Sequence, residues 1–147
     1  MKKLIFPAFE HRVKQVGKKL LIFDVIRCDY VALSPEEWVR QHVIHLLIAF
    51  KKYPKSLFSV ERELKVNRLL KRTDIIVYSK KILPFLLVEC KAPEEKINET
   101  VLRQALIYNM EKKAEYICIT NGIVVRIFRW IPGELHEMDD FPDWPDA

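Results

Sequence analysis

The chain has 147 residues, half hydrophobic and nearly a third charged, so it is globular rather than disordered and long enough for one domain with a real core. No apolar run reaches the length of a membrane span, and Met1-Lys2-Lys3-Leu4-Ile5-Phe6-Pro7 lacks the long apolar region and cleavage site of a signal peptide. The net charge of +5 conceals an asymmetry: residues 134–147 hold six acidic residues and no Lys or Arg, which leaves the first 133 with 25 basic against 14 acidic, a net +11 suited to a polyanion.

In chain order, Leu20–Phe23 and Tyr30–Leu33 predict a hairpin around a turn near Arg27-Cys28-Asp29. Ser34-Pro35-Glu36-Glu37 predicts a helix start, with Ser34 as N-cap and Glu37 three residues on. That helix is expected to run to about Lys51, with Val39, Val43, Leu46, Leu47 and Phe50 on one apolar face. Alternation from Phe58 to Val66 predicts a strand, followed by strands at about Asp74–Ser79 and Pro84–Lys91. Asn98 is expected to cap a second helix to about Lys113, with an apolar stripe of Val101, Leu102, Ala105, Ile107 and Met110. Tyr116–Thr120 predicts a buried strand, Asn121-Gly122 a hairpin turn, and Val124–Trp130 the last strand. The plan is one domain over residues 1–133 and a loosely packed acidic tail over 134–147, where Trp144 falls.

Three residues stand out: Asp74, Glu89 and Lys91 put charge at the ends of greasy strands. With the turn centred between Lys81 and Ile82, Tyr78 faces Phe85, Val77 faces Leu86, Ile76 faces Leu87 and Ile75 faces Val88. One step further Asp74 faces Glu89, and Lys91 shares that face. Adjacent carboxylates repel, and a hard divalent cation removes the conflict. Magnesium, or manganese in its place, then polarises a phosphoryl oxygen and activates water, with Lys91 orienting that water or meeting phosphate charge. The ordinary alternative is a salt-bridged strand end, Asp74 with Arg72 and Glu89 with Lys91. The same register sets Arg72 opposite Lys91, unless Arg72 turns toward substrate. His42 and His45 are three apart on the first helix, but no third ligand is evident. Cys28, Cys90 and Cys118 lack metal-type spacing; Cys90 and Cys118 read as buried small hydrophobes, and the expected compartment is the cytoplasm.

Asp74 followed by Glu89-Cys90-Lys91 resembles the PD-(D/E)xK nuclease superfamily. With Pro35–Gln41, Arg72-Thr73-Asp74, Leu87–Pro93, Gln104 with Tyr108-Asn109, and Thr120-Asn121-Gly122, the chain looks more closely like stand-alone proteins similar to the N-terminal domain of type I restriction enzyme R subunits. Thr73 stands where the superfamily name has Pro. The resemblance implies an α/β, restriction-endonuclease-like fold, a central mixed sheet flanked by helices with an N-terminal hairpin. It implies Asp74 and Glu89 as metal ligands, Lys91 as catalytic lysine, and a further glutamate from the first helix, Glu37 rather than Glu36. Arg40 and Gln41 follow on that helix and are expected toward substrate, as is Arg72. Gln104 and Tyr108 resemble a Gln-x-x-x-Tyr motif that contacts DNA or supports the lysine.

The function this implies is metal-dependent hydrolysis of nucleic acid, DNA first, by an endonuclease. The chain has three glycines and no phosphate loop, so it carries no ATP-driven motor. The implied partners are nucleic acid and no membrane, with room left for a homodimer and for a partner protein supplying motor or specificity functions. The alternatives are a non-catalytic nucleic-acid-binding or accessory module that retains the fold, and an interaction protein whose acidic tail and basic body self-associate.

Overall fold

The computed structural model describes residues 1–60, 64–66, 69–71 and 75–145. The chain opens with an antiparallel sheet of β1 (Val13–Val16), β2 (Lys19–Asp24) and β3 (Asp29–Ala32). The β2–β3 hairpin is the one expected. β1 is an addition, joined to β2 across Gly17, whose φ of +62° suits glycine in so tight a turn. Its four residues are all exposed, so no buried face announced it in the sequence.

Helix α1 (Pro35–Ala49) starts as predicted: Ser34 Oγ accepts the Glu37 N–H at 3.0 Å. The reciprocal half of the capping box is absent among the described residues, because the Ser34 N–H donates to Ala32 O. Val39, Val43, Ile44 and Leu47 are fully buried. Phe50, expected on that face, is instead the exposed C-cap; the helix ends there, and Lys52 follows with positive φ.

A 3-10 turn, Lys55–Leu57, leads to β4 (Phe58–Val60), then β5 (Leu64–Val66), β6 (Leu69–Lys71), β7 (Ile75–Tyr78) and β8 (Pro84–Cys90). β4 and β5 lie at the two ends of the expected strand Phe58–Val66, whose residues 61–63 lie outside the described residues. β4 pairs with β7 only from Phe58↔Val77 to Val60↔Ile75, where β7 begins, while β5 pairs antiparallel with β6. Helix α2 (Glu99–Lys112), capped by Asn98 as predicted, connects β8 to β9 (Tyr116–Thr120), and β10 (Val125–Ile131) and β11 (Glu134–Met138) follow. The main sheet runs β11-β10-β9-β8-β7-β4, with β8 and β9 parallel and its other pairs antiparallel. This is the expected mixed α/β architecture.

The β7–β8 register is Val77↔Leu86, Ile76↔Leu87 and Ile75↔Val88, as the apolar pairing predicts. Tyr78 departs from it, facing Pro84 rather than Phe85 across a bulge. Alternation sorts β8 into two faces. Leu86, Val88 and Cys90 join the core beneath α1, and Leu87 meets Ile76, Ala114 and Tyr108 on the α2 side. The α2 stripe is only partly realised. Ala105 is buried, but Ile107 and Met110 stay exposed, bordering an open apolar cleft of about 420 Å³ with Leu106, Trp130 and Leu135.

The acidic C-terminal segment is not a loose extension. β11 pairs with β10 through five residues, and Glu137 accepts from Arg126 at 2.6 and 3.1 Å. Beyond it Phe141 and Trp144 are buried, Trp144 packs on Tyr53 and Phe85, and the Tyr53 hydroxyl donates to Pro142 O. The acidic groups face water while the interleaved apolar residues pack. The other terminus is held too: the Ile5 N–H donates to Gly122 O at 2.9 Å, and Leu4 is buried over that glycine. Gly122 has φ +84°, and a Cβ there would lie 2.7 Å from Leu4 Cδ2, so the Asn121-Gly122 turn needs glycine on both counts. Among the described residues no helix is long and apolar enough to cross a membrane.

Candidate active site

β8 and β9 run side by side in the middle of the sheet, and their parallel pairing brings both carboxyl ends to one edge. In open α/β sheets that edge is where ligands bind. β8 delivers Glu89 and Lys91 there. The Lys91 N–H donates to Thr120 O at 2.8 Å, which extends the ladder one residue past the strand and fixes the backbone that bears the side chain. Lys91 Nζ then lies 3.0 Å from Glu89 Oε1, with side chains 2% and 9% exposed. Alternation places both on the α2 side, with Leu87, while Cys90 between them points into the α1-side core. Asn121 closes the edge: its Nδ2 donates to Glu95 O at 2.7 Å and ties the β9–β10 turn to the loop after β8.

The α1 residues form a second cluster. Glu37 Oε1 accepts from Arg27 at 2.8 Å and from Arg40 at 3.0 Å, and Glu37 Oε2 accepts from Gln41 Nε2 at 3.1 Å. Arg40 also reaches Glu36 at 2.9 Å. Burial works against the charge on Arg40, and neighbouring Cys90, Glu37 and Glu36 outweigh it, raising its pKa. Arg40 and Gln41, expected toward substrate, are therefore buried with Glu37. Gln41 Oε1 is buried with no hydrogen-bond partner among the described residues.

Asp24 and Arg27 complete this cluster and were missed in the sequence. Asp24 is fully buried; its Oδ1 accepts the Ile26 N–H at 2.7 Å and its Oδ2 the Arg27 Nε–H at 2.5 Å. The clue was an Asp at the end of an apolar strand with Arg three residues on, the same kind of signal that marked Glu89. Arg27 thereby clamps the β2–β3 turn to the first turn of α1.

Gln104 and Tyr108 sit on α2, above the face that carries Glu89 and Lys91. Tyr108 is half-buried against Ile76 and Leu87, and Gln104 is exposed. Because α2 returns antiparallel to β8, Gln104 lies one turn from Tyr108 toward the Glu89 end. Asp74 and Arg72 lie outside the described residues.

His42 and His45 are packed by aromatic groups. Phe9 stacks on His45 at 4.2 Å, and Trp38 meets both His42 and His11 edge-on. Burial, the largest influence on each, lowers both pKa values. Among the described residues no group of three or more His, Cys, Asp or Glu could hold a metal ion. The hard oxygens of Glu89 fit a divalent cation, and the remaining carboxylate of the expected pair is Asp74.

No curated protein and no solved structure matches the chain. Residues 35–142 match the family described as type I restriction enzyme R protein N terminus (HSDR_N), a span that covers α1, both β8 and β9, α2 and most of the acidic segment. With well over half its length in that match, the chain belongs to the type I restriction enzyme R protein N terminus family.

Proposed function

We propose that the protein is a metal-dependent nuclease that hydrolyses DNA, with Asp74, Glu89 and Lys91 at its centre. The observation that carries this reading is the burial of Glu89 and Lys91 at the carboxyl end of β8, in a chain of the restriction enzyme family; their ion pair alone is equally what a salt-bridged strand end would show. A lysine with 2% of its side chain exposed is costly to keep charged, and the Glu89 carboxylate 3.0 Å away offsets that cost. Extending the observed Ile75↔Val88 register by one residue would set Asp74 opposite Glu89.

Asp74 and Glu89 would hold magnesium, or manganese in its place, and the bound ion would supply charge for a phosphoryl oxygen and acidity for a water. Lys91 donates to phosphate or to the attacking water and meets charge that develops at phosphorus. Gln104 is exposed on the same side and contacts the strand, while Tyr108 supports the helix over the site. Glu37 would join these ligands only by giving up Arg27, the more exposed of its two guanidinium partners. Cleavage by these 147 residues proceeds without ATP-driven translocation, or a partner supplies the motor.

The test is cleavage of plasmid, linear, single-stranded and branched DNA with magnesium or manganese, run against Asp74→Ala and Lys91→Ala. Metal-dependent products from the wild-type chain and none from either variant support the assignment. Equal cleavage by the variants removes it. Tight binding with no cleavage under either ion makes the chain an accessory DNA-binding module.

A further inference from the structure

The N-terminal sheet has two unlike faces. On one, Ile22 and Asp24 are fully buried toward the body of the protein. On the other, Lys14 lies across from Leu21, Val16 across from Lys19, and Phe23 across from Tyr30. The Phe23 N–H donates to Arg12 O at 2.9 Å, so Arg12 extends this face by one pair. Arg12, Lys14 and Lys19 are exposed, and none is paired with a carboxylate among the described residues. No acidic side chain belongs to this face of the ladder: Asp24 and Asp29 face one another on the opposite side.

The cations lie on rings. The Arg12 guanidinium is 4.3 Å from the centre of Phe23, and Lys14 Nζ is 4.0 Å from the centre of Tyr30. The two rings stand 5.4 Å apart. We propose that this outer face of β1–β3 is a binding surface for single-stranded nucleic acid. Cation–ring contacts at exposed sites are weak. A phosphate can draw the charged ends of Arg12 and Lys14 off Phe23 and Tyr30 at little cost, and the uncovered rings then accept unstacked bases. A duplex offers phosphates to the cations but hides its base faces, so the rings select a single strand. The sheet is clamped to α1 by Asp24, Arg27 and Glu37, so a strand held here stays attached to the body that carries Glu89 and Lys91. The inference rests on the nucleic-acid reading above and is independent of metal-dependent cleavage.

The experiment titrates the full chain, without divalent ions, against a labelled oligothymidylate, an abasic oligomer of equal length and a hairpin duplex. Lys14→Glu with Lys19→Glu is expected to weaken oligothymidylate binding about tenfold or more at low salt, whereas Lys80→Glu with Lys81→Glu on the distant β7–β8 turn leaves it within about twofold. Replacing Lys14 and Lys19 by Ala should lower the salt slope by roughly 1.4. Wild type should prefer oligothymidylate to the abasic oligomer, and Tyr30→Ala should erase that preference. If Tyr30→Ala melts early, the exposed lysine pair carries the test alone. The proposal fails if the lysine pair binds like wild type, if the control pair loses as much, or if the duplex binds more tightly than the single strand. Cleavage with magnesium is scored separately. Surface-dependent binding without cleavage defeats only the nuclease reading, and cleavage with binding unchanged in the lysine pair defeats only this one.

Discussion

Lys91 holds its ammonium 3.0 Å from the Glu89 carboxylate, and both side chains are buried at the carboxyl end of β8. Removing either partner leaves the other as an uncompensated buried charge. Lys91→Ala is expected to lose DNA cleavage by roughly a hundredfold or more and to cost about 3 kcal/mol of stability. Lys91→Met with Glu89→Gln removes both charges, so it should recover much of the stability and none of the cleavage. Denaturant unfolding and a nicking assay on the same preparations separate the two effects.

Glu37 holds three donors from two elements, so its loss should loosen the β2–β3 turn as well as α1. Glu37→Gln keeps the shape and removes the charge that Arg27 and Arg40 share. The expected cost is about 3 kcal/mol, near the low end for a broken buried pair because Arg27 is partly exposed. If Glu37 also exchanges Arg27 for a cation, the variant should need more magnesium for half-maximal cleavage. A magnesium requirement equal to wild type would confine Glu37 to bracing the hairpin.

His42 and His45 give the fold a response to acid. Burial depresses both pKa values, so each histidine takes up a proton more readily in the unfolded chain. Their stabilising contribution is complete above the ordinary histidine pKa of about 6.5 and is lost as pH falls through the lower folded values. The melting temperature should therefore fall between about pH 7 and pH 5. His45→Phe, which keeps an aromatic surface for Phe9, should flatten that fall.

Trp144 is buried between Tyr53 and Phe85, far along the chain from both. Trp144→Ala should cost about 3 kcal/mol by opening the α1-side core. Asp143→Asn, by contrast, changes an exposed group 3.7 Å from Lys51 and should shift stability by less than about 0.5 kcal/mol. Equal melting temperatures for wild type and Trp144→Ala would contradict the packing.

What was legible in the sequence follows from how local each signal is. Ser34 and Asn98 announced their helices because a cap is read within one turn. The β7–β8 register was legible because a one-residue slip would turn Ile75, Ile76, Val77 and their partners to the wrong faces. The bulge at Tyr78 was not: it depends on a turn in which Ile82 takes φ +61°, a conformation no β-branched residue advertises. Glu89 and Lys91 stood out as charges in an apolar run. Arg27 did not, because its role arises only when the hairpin turn meets α1, two elements whose contact no local pattern encodes. The packing of the C-terminal segment was not legible because its net charge masks Met138, Phe141 and Trp144, which join the α1-side core three residues apart.

β11 also ends the sheet. Its outer side carries backbone groups that no further strand occupies among the described residues, an open template on which a second chain could build intermolecular β-structure. Glu134 and Glu137 lie along that strand, with Asp139 and Asp140 just beyond. Two copies meeting edge to edge would bring like charges together. The acidic run is therefore expected to oppose that pairing, and neutralising it by substitution should make the folded protein associate with itself at a pH where it remains folded.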